Sequence, residues 1–193
     1  RNLPTSKKVK LGSLPFKKEN KKIVLYQGAI NIGRGLELMI NTLQFIENTI
    51  LVIAGNGDII DDLKHCVKEK NLDTKVVFLG NLQPSDLHKV TPLADLGISF
   101  EEDLGLNYRY ALPNKIFDYI QAEIPTLVSD LPEMKQIIEN YNVGEVIKKR
   151  EPKELANQIE KLLNTDFSRE LKIAKKELIW ENQEEKLIFI FKN

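Results

Sequence analysis

Cysteine is almost missing from this chain. Cys66 stands alone, which excludes an internal disulfide and fits a reducing compartment. No histidine partner is placed at a crevice, so it reads as a small core hydrophobe and not a nucleophile. Histidine is nearly as scarce: neither His65 nor His88 stands near cysteines or carboxylates at ligand spacing, so no metal site is expected. A net charge is lacking too. The 28 Lys and Arg balance 28 Asp and Glu, leaving no basic field for nucleic acid, although a local positive pocket is still open. No apolar run approaches the roughly 18 to 20 residues that span a bilayer, and no signal-peptide pattern is present. The sequence opens on Arg1 in "RNLPTSKK", and a piece of a longer protein is expected.

What is present is alternation. With 193 residues, 42% of them hydrophobic and 29% charged, one fairly large globular domain is expected. Short apolar runs at 23–27, 50–54, 76–79, 96–100, 126–129 and 143–147 read as strands buried on both faces. Helical stripes lie between them, such as Leu36, Met39, Ile40 and Leu43, or Leu155, Ile159, Leu162 and Leu163. Asp130 and Glu133 predict a capping box opening a helix over 131–140, and Pro152 marks another helix start. Such alternation predicts an α/β fold, a doubly wound, parallel, six-stranded Rossmann-like sheet in the order 3-2-1-4-5-6. Residues 1–20 form a leading segment, 21–166 the wound domain and 167–193 a tail outside it. Trp180, Leu187, Ile188, Phe189, Ile190 and Phe191 give that tail a heavy apolar load, expected to dock on protein.

Ligands of doubly wound sheets bind beyond the carboxyl ends of strands one and four, at the topological switch point. After strand one comes "GAINIGRGLELMI", where Gly28, Gly33 and Gly35 permit a tight turn and close backbone approach. It is neither the dinucleotide fingerprint nor a P-loop. Arg34 stands there at a helix start. After strand four, "ALPNKIFDYI" places Pro113 in the first turn of a helix and Lys115 beside the positive end of its dipole, an awkward place for a lone cation. A diphosphate bound between the two helix starts would explain both cations. Asn114, Lys115 and Asp118 share a helix face, and Asp118 could accept hydrogen bonds from a ribose diol. The plain alternative pairs Lys115 with Asp118 on a solvated face. The acidic run Glu101, Glu102 and Asp103 reads either as loop charge or as a set of ligands for sugar hydroxyls.

The blocks "YQGAINIGRGLELMI", "LVIAGNGD", "VVFLGNLQPSDL", "ALPNKIFDYIQAEIPTLVSDLPEM" and "NVGEVI" resemble, in order over 22–163, retaining glycosyltransferases of the GT-B fold, in their large family 4 (group 1). The resemblance implies the C-terminal, nucleotide-sugar-binding half of a two-domain enzyme, with an absent N-terminal domain that binds the acceptor. It implies a nucleoside-diphosphate sugar as donor substrate, a glycan or lipid-linked acceptor, and no metal or other cofactor. Polysaccharide biosynthesis in a bacterium is implied, in the cytoplasm or peripherally at the inner face of the membrane. "RNLP" resembles the interdomain segment, and "WENQEEKLIFIF" the final helix that crosses back to the other domain. Carried over residue by residue, Arg34 corresponds to a diphosphate ligand next to Gly35, and Lys115 to the lysine of "LPNK" variants, with Leu112 and Asn114 beside it. These two cations are the expected catalytic pair. Asp118 falls where the family has a ribose-binding glutamate. Gly80, Asn81 and Leu82 match the segment that reads the base, and Gly55 to Gly57, with Asn56 between, the adjoining wall; Gly28 begins the first loop.

The sequence also departs from that family. Ala29 stands where many members have arginine. The pair of glutamates seven residues apart would fall at Tyr110 and Asp118, so the first acid is missing and the second is shortened; Asn107, Tyr108 or Glu102 could take over. A noncatalytic nucleotide-binding module and a Rossmann oxidoreductase domain are the alternatives. The second lacks the glycine fingerprint and an acidic residue at the tip of strand two.

Overall fold

The computed structural model describes residues 20–179 together with 182 and 184. Its strands are β1 (Lys22–Gln27), β2 (Thr49–Ala54), β3 (Val76–Gly80), β4 (Leu96–Ser99), β5 (Thr126–Val128) and β6 (Gly144–Val146). Its helices are α1 (Leu36–Thr42), α2 (Ile60–Glu69), α3 (Pro84–Val90), α4 (Leu106–Arg109), α5 (Asn114–Gln121), α6 (Pro132–Tyr141), α7 (Pro152–Leu163) and α8 (Ser168–Glu177). The strands form one sheet in the order β3-β2-β1-β4-β5-β6, with every neighbouring pair parallel. This is the α/β, doubly wound topology that the sequence predicts.

Burial on both faces explains the strand composition. β1 buries Ile23 through Gln27, and β2 is buried along its whole length. α1 packs against α2 and α7, while α8 packs against α5 and α6. Parallel neighbours need crossovers, which the helices between the strands supply, while α7 and α8 follow β6 and add to the cover. Gly97 in β4 is set by packing: a Cβ there would lie 2.4 Å from the Tyr119 ring. Tyr119 is fully buried, and its hydroxyl donates to the Leu25 carbonyl at 3.0 Å, fastening α5 to β1.

Local expectations need four corrections. α6 starts at Pro132, with Leu131 as N-cap and no side-chain cap bond, so Asp130 and Glu133 do not form a capping box. Leu131 is drawn into the core, which puts Asp130 one residue too far back; its carboxylate accepts from Lys135 Nζ at 3.0 Å instead. Pro113 is the N-cap of α5, not part of its first turn, which leaves Lys115 as the second helical residue. Arg34 precedes the α1 N-cap, Gly35, so it stands just outside that helix. The tail does not start outside the core either, since Phe167, Leu171 and Ala174 are all buried in it. The apolar tail residues Trp180, Leu187, Ile188, Phe189, Ile190 and Phe191, and the leading residues 1–19, lie outside the described residues.

Candidate functional site

The hydrogen-bond ladder of the sheet continues past the ends of β1 and β2. Gly28 N–H donates to the Ala54 carbonyl at 2.9 Å, Gly55 N–H to the Gly80 carbonyl at 2.8 Å, and Ile30 N–H to the Asn56 carbonyl at 3.0 Å. The loops after β1 and β2 and the last residue of β3 are therefore zipped into one floor. Gly55 makes this possible. Its φ is +154°, and a Cβ there would fall 1.8 Å from the Gly28 carbonyl oxygen. The predicted residues Gly28, Gly55, Asn56 and Gly80 thus meet at one place.

Over this floor two cations converge on one buried carboxylate. Lys115 Nζ donates to Glu101 Oε1 at 2.9 Å, and Arg34 Nη1 lies 3.5 Å from the same oxygen. Glu101 Oε2 accepts from the Ser99 hydroxyl at 2.7 Å. Glu101 is 0% exposed and Lys115 only 8%. The Lys115 ammonium lies 4.1 Å from the centroid of the Tyr26 ring, a cation–π contact in a dry setting. Gly28 lies against this side chain: a Cβ there would be in ordinary contact with Lys115 Cε at 3.5 Å, and it is the φ of +135° that favours glycine. Arg34 is the more exposed member of the pair: its side chain is 28% exposed, and its Cζ lies 5.7 Å from the centroid of the Tyr108 ring.

The electrostatics of the pair are asymmetric. Burial pushes the Glu101 carboxyl up, but the Lys115 charge and hydrogen bonds from Ser99 and Lys115 together hold it below the usual carboxylate range. Burial pulls the Lys115 ammonium down, Glu101 opposes this, and nearby Arg34 adds to the fall. Glu101 is thus held as the anion by both Lys115 and Ser99, while Lys115 has Glu101 and the Tyr26 ring to set against its burial. Burial also raises the Tyr26 phenol well above its usual value.

Lys115 therefore does not pair with Asp118. Asp118 Oδ2 accepts from Gln27 Nε2 at 3.0 Å, and Gln27 Oε1 in turn accepts from the Thr91 hydroxyl at 2.9 Å. This relay places the Asp118 carboxylate at the end of β1, half-buried, on the rim of the crevice. Gly35 has φ +68° and lies so close to Phe100 that a Cβ would come 2.4 Å from its carbonyl oxygen. That carbonyl also accepts from Arg150 Nη2 at 3.0 Å, and Arg150 Nη1 donates to Ser99's counterpart on β5's end, Ser129 Oγ, at 2.9 Å. Asn81 and Asn114 are exposed and Leu82 and Leu112 half-buried. No side-chain hydrogen bond ties these four to the cluster among the described residues.

On the far side of Glu101 a cavity of about 500 Å³ opens toward the ends of β5 and β6. Glu102, Ser129, Asp130, Lys148 and Arg150 are among its lining. Tyr110, at the place of the missing first acid, is exposed at the end of α4. Of the substitutes suggested for it, Glu102 lies 3.7 Å from Arg150, Tyr108 stacks near Arg34, and Asn107 is exposed in α4. His65 is exposed and meets Glu69 at 3.1 Å, His88 is exposed, and Cys66 is half-buried against the core. Among the described residues no group of His, Cys, Asp and Glu is gathered as for a metal, and no helix is long and apolar enough to cross a membrane.

A doubly wound parallel sheet with a charged crevice at its switch point defines the class of Rossmann-like α/β ligand-binding domains. Within that class the family described as "Glycosyl transferases group 1" matches residues 14–178, and the chain belongs to this family. That membership sets aside the oxidoreductase alternative. An uncharacterized glycosyltransferase of Methanocaldococcus jannaschii is 26% identical over 185 residues, which is 90% of this chain and 45% of that protein. The chain thus spans less than half the length of this relative. Two solved structures share the fold. Sucrose-phosphate synthase from Thermosynechococcus elongatus has a TM-score of 0.77 at 16% identity, over 92% of this chain and 46% of its own. The Anabaena protein HepE, solved in complex with UDP and glucose, has a TM-score of 0.73 at 16% identity, over 89% of this chain and 49% of its own. The fold is accordingly that of the GT-B glycosyltransferases.

Proposed function

We propose that this chain is the donor-binding, C-terminal domain of a glycosyltransferase that moves a sugar from a nucleoside diphosphate to a glycan or lipid-linked acceptor, with retention of configuration. The observation that carries this reading is the convergence of Arg34 and Lys115 above Gly28 at the switch point. With Glu101 included, the three side chains sum to one net positive charge, and the α5 N-terminus adds its dipole. A diphosphate lying over Gly28 accepts charge-assisted hydrogen bonds there from Arg34 and Lys115. As the glycosidic bond breaks, negative charge grows on the diphosphate, and donors already in place stabilise it without reorganising.

The other roles follow the crevice outward. Asp118 receives the ribose diol, and the backbone of Gly80, Asn81 and Leu82 faces the base, with Gly55 and Asn56 as the wall. The cavity beyond Glu101 offers carboxylates and hydroxyls of the kind that bind sugar hydroxyls. The acceptor belongs to an N-terminal domain that this chain does not include, and the enzyme works in the cytoplasm, at the inner face of the membrane where its acceptor is lipid-linked. UDP as the nucleotide is supported by the HepE complex as a first choice to test.

Melting the chain with UDP, GDP and NAD tests the reading, because a ligand that binds only the folded state raises Tm. A rise with UDP or GDP and none with NAD is expected. A chain that answers to none of them would be a noncatalytic module, and the proposal would fall.

A further inference from the structure

Glu101 lies at the centre of the proposed clamp and yet is sealed from solvent. A carboxylate beside a diphosphate site is unfavourable for binding by charge alone, so its presence needs a reason. The geometry supplies one. Lys115 Nζ has a single hydrogen-bond acceptor among the described residues, Glu101 Oε1, and the same oxygen faces Arg34. The second oxygen is fixed by Ser99, so the carboxylate cannot rotate away without losing that bond. We propose that Glu101 is a positioning residue for the diphosphate clamp: it keeps Lys115 an ammonium in its buried seat and aims both cations into the crevice. The inference rests on the proposed function for its ligand, but not for its protonation chemistry.

The groups that face Lys115 are few. Glu101 comes from the end of β4, Arg34 from the loop after β1, and Tyr26 from β1, while Asp118 lies on its own helix and is engaged with Gln27. Among the described residues Glu101 is the one carboxylate in direct contact, and Arg34 pushes the ammonium toward neutrality. Without Glu101 the buried lysine loses its counter-charge while keeping its burial penalty, and it should shed its proton at lower pH. The clamp would then weaken as pH rises. At acid pH the opposite holds, since the variant cluster carries one more net positive charge than the native one.

Glu101→Gln tests this because glutamine keeps the shape and can still accept from Lys115 and donate to Ser99. The titration of Lys115 is read by NMR of carbon-labelled lysine, assigned with Lys115→Arg. It is expected to move down by about one to three pH units, the effect of removing an adjacent opposite charge. UDP affinity, measured calorimetrically from acid to alkaline pH, is expected to match or exceed native affinity at the acid end and to fall off earlier on the alkaline side. A uniform loss at every pH would mark a merely structural residue and overturn the proposal, as would an unmoved Lys115 titration. Glu101→Asp is the milder companion should glutamine not be tolerated; it keeps the charge but withdraws it by one methylene from Lys115, which should move the lysine the same way by less, and no movement would again overturn the proposal. If native protein fails to bind UDP or GDP, the functional reading fails alone, because the lysine titration is measured without nucleotide.

Discussion

The ammonium of Lys115 sits 4.1 Å from the centroid of the Tyr26 ring, with Glu101 at 2.9 Å as its hydrogen-bond partner. The lysine is thus held between an aromatic face and a carboxylate. Tyr26→Leu removes the ring and should weaken UDP binding by about 0.5 to 2 kcal/mol, the range of a cation–π contact from exposed to desolvated. Tyr26→Phe keeps the ring and loses only the hydrogen bond from the phenol to the Ala29 carbonyl. It should bind UDP nearly as well as native protein by calorimetry. If both variants lose equal affinity, the ring is not what supports Lys115.

Arg34→Ala and Lys115→Ala should each weaken nucleoside-diphosphate binding by about 1.5 to 3 kcal/mol, the value of a hydrogen bond to a charged group. The loss for UMP or GMP should be smaller, since a monophosphate offers the clamp less charge. Calorimetric titration of both pairs decides this. Equal losses for mono- and diphosphate would remove Arg34 and Lys115 from the diphosphate role.

For Asp118 the discriminating ligand is the sugar ring of the nucleotide. Asp118→Asn keeps an acceptor for Gln27 Nε2 but removes the charge that would receive a diol. Binding of UDP should weaken by about 1.5 to 3 kcal/mol. Binding of its 2′,3′-dideoxy analogue should not change. A variant that binds both compounds as native protein does would end the ribose assignment.

Acid stability should report on Glu101. Its folded carboxyl titrates below the usual range, because support from Lys115 and Ser99 outweighs burial. A depressed folded pKa contributes stability that is present above the unfolded value, about 4.3, and is lost as pH falls through the folded one. Lys115 has the other sign: burial lowers its pKa, and the resulting penalty on the charged folded form fades as pH rises. Tm measured downward from pH 6 should therefore fall less steeply in Glu101→Gln than in native protein. Parallel curves would mean that the Glu101 carboxyl titrates alike in both states.

The sheet was legible because both of its faces are covered, which turns each strand into a short continuous apolar run such as 50–54. Strand order then pointed to the crevice, and Arg34 and Lys115 do meet there. The partner of Lys115 was not legible in helical spacing, which offered Asp118 and missed Glu101, fourteen residues away across a loop. A signal did exist in the alternation of a strand. Ser99 and Glu101 stand two apart at the end of β4 and so lean to one side, where the serine hydroxyl can fix the carboxylate. The acidic run 101–103 concealed this, because one composition covers three fates: Glu101 is buried, Glu102 is half-buried near Arg150, and Asp103 pairs with Arg109 on the surface. The starts of α5 and α6 differ from expectation by a residue because proline and acidic residues mark a boundary without fixing which residue is the cap.

The ladder through Gly28, Ile30 and Gly55 has a consequence for how the crevice breathes. Amides bonded to Ala54, Asn56 and Gly80 belong to the same cooperative unit as the interior strands, so their exchange with solvent deuterium requires that unit to open. The wall formed by residues 102–110 is tied at its start, where Glu102 N–H donates to the Gly33 carbonyl at 2.9 Å, but most of it is exposed and α4 within it is only four residues long. Induced fit around a donor would then be one-sided, with a stationary base and all adjustment confined to the opposite bank.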